Sequence, residues 1–115
     1  MDMDEIFNTR KTLLSDDEQA EYYVLLKGLK SNSTRSHKVV LFNDDKTPMS
    51  FVSFIFLYFQ DIEVREAQKR MMKIHENGSG ELISTNKPLA ERIKIFITSH
   101  ASNKDYPLRA EVHDI

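Results

Sequence analysis

The stretch that decides the fold is KVVLFNDDKTPM, residues 38–49. After Lys38 come four β-branched or large apolar residues, and the run stops at an Asn-Asp-Asp triplet. An apolar run bounded by Asn and Asp is typical of a strand that ends in a turn. Pro48 then suits the first turn of a helix, and Thr47 is a natural N-cap in front of it. The stretch therefore predicts a strand, a tight loop and the start of a helix.

Downstream of this stretch, the hydrophobic pattern predicts two helices in succession. The first, from about residue 48 to 59, is apolar nearly all round, so we expect it to be deeply packed. The second covers residues 63–76 and repeats its apolar side chains at three- and four-residue spacing. Gly78 follows at the position where a glycine commonly ends a helix.

The remainder of the chain predicts two further strands and one further helix. Residues 81–85 form a weak strand candidate, and residues 108–112 alternate well enough for a last strand. Between them a helix begins near Pro88, with Asn86 as its cap. The order β-α-α-β-α-β predicts an α+β sandwich, in which a three-stranded antiparallel sheet packs against three helices.

Upstream of residue 38 the chain changes character. We interpret residues 1–37 as an N-terminal extension and residues 38–115 as the folded domain, with the polar run 31–36 as a flexible linker. Ser15 and Glu18 have the spacing of a capping box, which predicts a short helix over residues 16–27 that stops at Gly28. This helix could dock on the chain's own domain or on a partner, or fray in water.

Composition excludes several classes of protein. The 115 residues suffice for one domain, and a net charge of −2 gives no reason to expect nucleic-acid binding. The absence of cysteine excludes disulfides and thiolate chemistry. Neither a secretory signal nor a membrane span is expected, since the longest apolar stretch, residues 51–59, is far shorter than the ~20 residues that span a bilayer. We therefore expect a cytoplasmic protein without a membrane partner.

The polar cluster of interest is the triplet Asn43, Asp44 and Asp45 at the end of the first predicted strand. Loops held by a rigid scaffold are frequent sites of function. Carboxylate and amide oxygens would suit a cation, either a metal ion or an ammonium group. Such turns also commonly hydrogen-bond their own backbone, so a purely structural role stays open.

Catalytic and metal signals are weak. His75 lies near the end of the second predicted helix, where the helix dipole alone is a sufficient reason for a histidine. It could serve a hydrolase only together with Asp44 or Asp45 acting on a water molecule. The sequence has no Gly-x-Ser-x-Gly elbow, no phosphate-binding glycine loop and no pair of histidines at metal-site spacing. We predict neither an enzyme nor a cofactor or metal.

Three separated motifs resemble the ClpS adaptor family. They are residues 38–52, then Ala67, Met71 and residues 75–78, then Ala90-Glu91 with residues 106–108. Their order and spacing agree with the family over about residues 38–112, which is essentially the whole predicted domain. Three motifs in register are far more specific than any one of them.

The resemblance implies an adaptor that binds N-degrons, proteins whose exposed N-terminal residue is Leu, Phe, Tyr or Trp, and hands them to a ClpA- or ClpC-type AAA+ unfoldase working with the ClpP protease. The site it implies consists of acceptors for the substrate α-ammonium group at Asn43, Asp44, Asp45 and His75, a hydrophobic pocket formed by Met49, Val52, Met71, Ile74 and Leu108, and loop or peptide contacts at Thr47 and Pro48. Met49 would be the gate that disfavours β-branched residues.

Some positions depart from the family pattern. Ser50 and Pro88 stand where an acidic residue is common, and residues 82–85 replace a segment that usually contains glycine and aromatic residues. The choice of unfoldase is therefore open. The alternative is a non-catalytic interaction domain of the same fold with a different partner, like the C-terminal domain of the ribosomal stalk protein.

Overall fold

The computed structural model describes residues 14–115, and residues 1–13 of the predicted extension lie outside the described residues. The described part contains, in chain order, α1 (Asp16–Ser31), β1 (His37–Phe42), α2 (Met49–Phe59), α3 (Val64–Asn77), β2 (Ser79–Thr85), α4 (Lys87–Ser102) and β3 (Arg109–Asp114). This order confirms the predicted α+β fold with a three-stranded antiparallel sheet, to which α1 adds a helix at the front.

The decisive stretch supplies the central strand. The sheet order is β2-β1-β3, and β1 pairs antiparallel with both neighbours. Val39 and Leu41 are fully buried in the core between sheet and helices, while Val40 points to the other face. Because β1 is the central strand, the loop that follows it leaves the sheet between the ends of β2 and β3.

Helix α2 is buried nearly all round, as its composition predicted. Ile55, Phe56 and Leu57 are at most 2% exposed, and burying a side chain of this size contributes about 1.5–3 kcal/mol. Helix α3 packs against α2 and β2, whereas α4 packs against β1 and β3. Asn86 caps α4 as predicted, because its side-chain oxygen accepts a hydrogen bond of 2.8 Å from the Leu89 amide.

Two glycines fix the junction between α3 and β2. Gly78 ends α3 with φ 89°, a left-handed conformation that a side chain disfavours. Gly80 lies so close to α3 that a Cβ atom there would be 2.8 Å from Cγ1 of Ile74. Strand β2 can therefore pack tightly under the last turn of α3, which holds Ile74 and His75 in place.

The N-terminal helix α1 docks on this chain's own domain. Leu14, Tyr22 and Leu25 are buried in the same core as the sheet and the other helices. The Tyr22 hydroxyl donates a hydrogen bond to the Tyr58 carbonyl oxygen at the C-terminal part of α2. The docked helix therefore closes one side of the aromatic core.

The predicted end of α1 was wrong. The helix runs four residues past residue 27, through Gly28 to Ser31, so the predicted linker also begins one residue later. The cause is tertiary packing: Gly28 lies against Leu89 of α4, where an added Cβ would be 3.1 Å from two Leu89 carbons. Close contact with α4 outweighs the helix-breaking tendency of glycine, which costs only about 1 kcal/mol.

Glu18 connects α1 to the core. It completes the predicted capping box, in which its Oε1 accepts from the Ser15 amide at 2.9 Å. Its Oε2 lies 2.5 Å from Nδ1 of His100, a residue of α4 that is 1% exposed. Burial by itself raises the pKa of Glu18, but the hydrogen bonds from Ser15 and the interaction with His100 outweigh it, so the pKa lies below its ordinary value.

We predict that Glu18→Gln lowers the free energy of unfolding by about 1.5–3 kcal/mol, because His100 loses its charged partner in a buried setting. Urea denaturation at neutral pH measures this loss. Glu21→Gln is the matched control, since Glu21 pairs with Arg92 at 2.9 Å on the exposed side of the same helix, and such a pair contributes about 0–1 kcal/mol.

The loss should depend on pH with a definite sign. A carboxyl group whose pKa is lowered by folding stabilises the protein above its unfolded-state pKa, and this contribution disappears as the pH falls through the folded-state value. The two curves should therefore converge well below pH ~4.3, the usual pKa of a glutamate. A difference that persists unchanged in acid would contradict the role given to the Glu18 carboxylate.

Candidate functional site

A cavity of about 330 Å³ opens where β1 ends, between the following loop, the start of α2 and the end of α3. The residues that line it are Asn43, Asp44, Asp45, Lys46, Thr47, Pro48, Met49, Val52, Met71, Ile74 and His75. The structure thus brings together every site residue predicted from the sequence except Leu108. Lys46 is the one lining residue that the sequence-based prediction did not include, although it lies inside the decisive stretch.

The inner part of the cavity is apolar and comes from two helices. Val52 of α2 and Met71 and Ile74 of α3 are buried, whereas Met49 is 47% exposed at the mouth. Met49 and Val52 are three positions apart, as are Met71 and Ile74, so each pair occupies one helix face. Helical periodicity therefore explains why these four side chains converge on one space.

Leu108 lies elsewhere. It is 5% exposed and belongs to the main core just before β3, and it is not among the residues that line the cavity. Ala110, two positions on, is also in the core, as expected for side chains on the same face of an extended segment. Leu108 is therefore a core residue that does not line the cavity, whereas Val52, Met71 and Ile74 belong to the same core and do line it.

Asp44 organises the loop. Its Oδ1 accepts hydrogen bonds from the amides of Lys46 at 2.8 Å and Thr47 at 2.6 Å, and its Oδ2 accepts from the Thr47 hydroxyl at 2.8 Å. Partial burial acts to raise the pKa of Asp44, but the hydrogen bonds from Thr47 and Lys46 outweigh it, so this pKa is lowered. The carboxylate is held ionised inside its own loop.

The same bonds correct one sequence-based expectation. Thr47 does not cap α2, because its hydroxyl and its amide both serve Asp44. The helix begins at Met49, with Pro48 as the capping residue and no side-chain cap. The loop is therefore stabilised from within, and the first turn of α2 follows it directly.

Asn43 is held against the end of α3 by its backbone. Its amide donates a hydrogen bond of 2.9 Å to the Gly78 carbonyl oxygen, which joins the end of β1 to the helix that carries His75. The side chains of Asn43, Asp45 and His75 are exposed on the polar side of the cavity. None of the three side chains forms a hydrogen bond or ion pair with another residue of the described chain.

The electrostatic character of the cavity follows from this division. Both oxygens of Asp44 accept hydrogen bonds from the loop. The acceptors that face solvent are therefore the side-chain amide oxygen of Asn43, the Asp45 carboxylate and a ring nitrogen of His75. They adjoin an apolar space of limited size. Such a site can hold a small molecule or chain end that carries hydrogen-bond donors at one end and an apolar group at the other.

A second cavity, of about 360 Å³, lies between α1 and α4. Its charged side chains include Glu18, which is bonded to His100, and Glu21 and Arg92, which are bonded to each other. Three of its four charged side chains therefore already have partners, and none of the three separated motifs of the sequence supplies its lining, whereas the cavity at the end of β1 is lined largely by them. We therefore assign function to the latter.

Two kinds of feature are absent from the part of the chain that the structure describes. No cluster of three or more His, Cys, Asp or Glu side chains suited to a metal ion is present within residues 14–115. Over the same residues, no helix has both the length and the hydrophobicity that crossing a membrane would require.

Comparison with known proteins shows which family the chain resembles. Residues 32–111 match the family model described as ATP-dependent Clp protease adaptor protein ClpS. The chain is 33% identical to the ClpS adapter of Bartonella quintana over 95 residues, covering 81% of this chain and 86% of that protein. It is 31% identical to the ClpS adapter of Campylobacter jejuni subsp. jejuni over 91 residues, covering 77% and 93%.

A solved structure is similar as well. The structure of Agrobacterium tumefaciens ClpS2 bound to L-phenylalaninamide superposes with a TM-score of 0.65 at 25% identity, covering 70% of this chain and 98% of that chain. The fold and these matches thus define a small adaptor domain, whose candidate site is the cavity at the end of its central strand. The chain belongs to the ClpS family of Clp protease adaptors.

The family decides between the chemical alternatives raised by the sequence. ClpS proteins are adaptors and not enzymes, so His75 and the aspartates do not form a hydrolase site. The carboxylate of Asp44, one of the two candidates for such a pair, is moreover occupied by its own loop.

The two adjacent aspartates should differ sharply in stability. We predict that Asp44→Ala lowers the free energy of unfolding by about 1.5–3 kcal/mol, since two amides and a hydroxyl lose a charged acceptor. Asp45→Ala should change it by less than about 0.5 kcal/mol, because exposed positions without contacts rarely matter more. Urea denaturation of both variants, with amide exchange of Lys46 and Thr47, tests this; equal losses would contradict it.

Proposed function

We propose that this chain captures proteins by a bulky hydrophobic N-terminal residue, Leu, Phe, Tyr or Trp, and delivers them to a Clp AAA+ unfoldase for degradation. The observation that carries the proposal is the cavity at the end of β1. It places unpaired acceptors, Asn43, Asp45 and His75, beside an apolar space lined by Met49, Val52, Met71 and Ile74.

The polar side of the cavity suits a free α-ammonium group. That group has three N–H donors and one positive charge. Asn43 and a neutral nitrogen of His75 would supply uncharged acceptors, and Asp45 would supply an acceptor with negative charge. Asp44 would act indirectly, because its oxygens already hold the backbone from which Asp45 projects. An internal residue or an acetylated terminus has no ammonium group to offer.

The apolar side suits one large side chain. The whole cavity has a volume of about 330 Å³, at the low end of the range for small-molecule sites, so its apolar part has room for one side chain. Met49 lies half-exposed at the mouth, where a flexible thioether can adapt to flat aromatic rings and to leucine. Branching at Cβ would place a methyl group against this gate, which favours Leu, Phe, Tyr and Trp over Val and Ile.

Two further observations support the proposal. The solved ClpS2 relative is bound to L-phenylalaninamide, a molecule with a free α-amino group and a phenyl side chain. Pro48 and Thr47 border the cavity, and the Thr47 oxygen that donates to Asp44 retains lone pairs that could accept from a peptide amide. The loop would then contact the peptide backbone as well as its first residue.

Delivery requires a second surface. We propose a ClpA- or ClpC-type unfoldase with ClpP as the partner, in the cytoplasm, with no nucleic acid and no membrane involved. Ser50 and Pro88 are both exposed, and they replace acidic residues that are common in the family. A partner chosen by charge would therefore meet a less acidic surface here.

Peptide binding tests capture directly. A labelled peptide that begins with free Phe should bind in fluorescence anisotropy, and the same peptide N-acetylated should not. Asn43→Ala, Asp45→Ala and His75→Ala should each weaken binding by about 10- to 100-fold, the effect of losing a hydrogen bond to a charged group. Glu21→Gln, on the far side of α1, should bind as the unaltered chain does.

Equal binding of the free and acetylated peptides, or binding of neither, would overturn the proposal. It would leave the alternative of a non-catalytic domain of this fold with a different partner. Retention of full affinity in all three alanine variants would instead move the ammonium site away from this cavity.

Delivery is tested by reconstitution. A folded reporter that begins with Phe should be degraded by a ClpA- or ClpC-type unfoldase with its peptidase faster when this chain is added, and Asn43→Ala should remove most of the acceleration. A reporter that begins with Ser is the matched control. Tight peptide binding without any acceleration by either unfoldase would reject delivery while leaving capture intact.

A further inference from the structure

We infer that Lys46 makes this site select the second residue of its substrate, favouring Asp or Glu and disfavouring Lys or Arg. The inference rests on the proposed capture of an N-terminal residue and extends it to the next position of the chain. It concerns Lys46 because this is the one lining residue of the cavity to which the proposed function gives no role.

The backbone of Lys46 is held by a hydrogen bond, whereas its side chain is free to change conformation. Its amide donates to Asp44 Oδ1 at 2.8 Å, which locks the residue at the rim of the cavity. The side chain is exposed and forms no ion pair with any of residues 14–115. Because a lysine ammonium group sits on a flexible four-carbon stem, it can reach many positions just outside the mouth of the cavity.

The other polar groups at the mouth already have a hydrogen-bond partner or would bind the substrate terminus. Asp44 lies deeper and gives its oxygens to Lys46, Thr47 and the loop. Asp45 would be neutralised by the bound α-ammonium group. His75 would act as a neutral acceptor. The Lys46 charge helps to lower the pKa of Asp44, but its ammonium group is not in an ion pair with any described residue, so once a substrate terminus is seated it is an exposed positive charge that the rest of the substrate can meet.

The second residue of the substrate must lie close to this charge. Consecutive Cα atoms are 3.8 Å apart, so a residue attached to one seated in the cavity lies at its mouth. An acidic side chain there can pair with the Lys46 ammonium, and a basic one is repelled. Exposed pairs are weak, so the expected preference is about two- to fivefold in affinity and is sensitive to salt.

Three peptides that begin with Phe and carry Glu, Gln or Lys as the second residue, but are otherwise identical, test the inference by anisotropy at low salt. The expected order of affinity is Glu, Gln, Lys. Lys46→Gln should remove the preference and Lys46→Glu should reverse it. Lys27→Glu changes the net charge equally but lies exposed on α1, and it should keep the original order. At ~1 M salt the differences should largely vanish.

The outcomes separate this inference from the function on which it rests. Failure of all three peptides to bind better than their acetylated forms rejects the capture of N-termini itself. Binding that requires a free terminus but is equal for Glu and Lys rejects the inference alone. A preference that survives Lys46→Glu also rejects it, since the selecting charge would then lie elsewhere.

Discussion

The hydrogen bond from the Asn43 amide to the Gly78 carbonyl joins the end of the central strand to the end of α3. The residues of the candidate site lie on both sides of this junction. It brings the loop after β1, with its carboxylates, next to the helix that carries Met71, Ile74 and His75. Gly78 permits it by ending α3 in a left-handed turn, and Gly80 permits β2 to pass directly beneath Ile74. A side chain at Gly78 would strain the left-handed backbone, and a Cβ at Gly80 would come within 2.8 Å of Ile74, which lines the cavity.

Adjacent aspartates with the same chemistry have different environments in this site. Asp44 is half-buried and bonded to its own loop, while Asp45 is exposed and without a partner among the described residues. The hydrogen bonds to Asp44 hold the backbone of the loop, from which the side chains of Asp45, Lys46 and Thr47 project. The carboxylate that builds the loop is therefore different from the one that is left exposed, and the bonds of the first fix the backbone that carries the second.

Helix α1 shows how a segment outside the sheet can become part of the core. Its Tyr22 packs against aromatic rings of α2 and α4, Leu25 is buried in the same core, and Glu18 reaches the buried His100. The second ring nitrogen of His100 has no hydrogen-bond partner within residues 14–115, so Glu18 supplies the interaction that offsets the burial of this imidazole. The helix therefore contributes to the stability of the domain, at a distance from the cavity that carries the proposed function.

The sequence by itself determined the order and type of the elements and most of the cavity lining. Strand β1, the loop at residues 43–45, the Asn86 cap and the Gly78 end of α3 depend on near neighbours, whose effects are visible in a linear pattern. The convergence of Met49, Val52, Met71 and Ile74 also follows from helical spacing, once the family resemblance gives the register. Tertiary structure alone decided that Leu108 belongs to the core, that α1 extends past Gly28, and which aspartate remains unpaired. These outcomes depend on contacts between distant residues, such as Glu18 with His100, 82 positions apart, or on the three-dimensional path of a loop, and local propensity specifies neither.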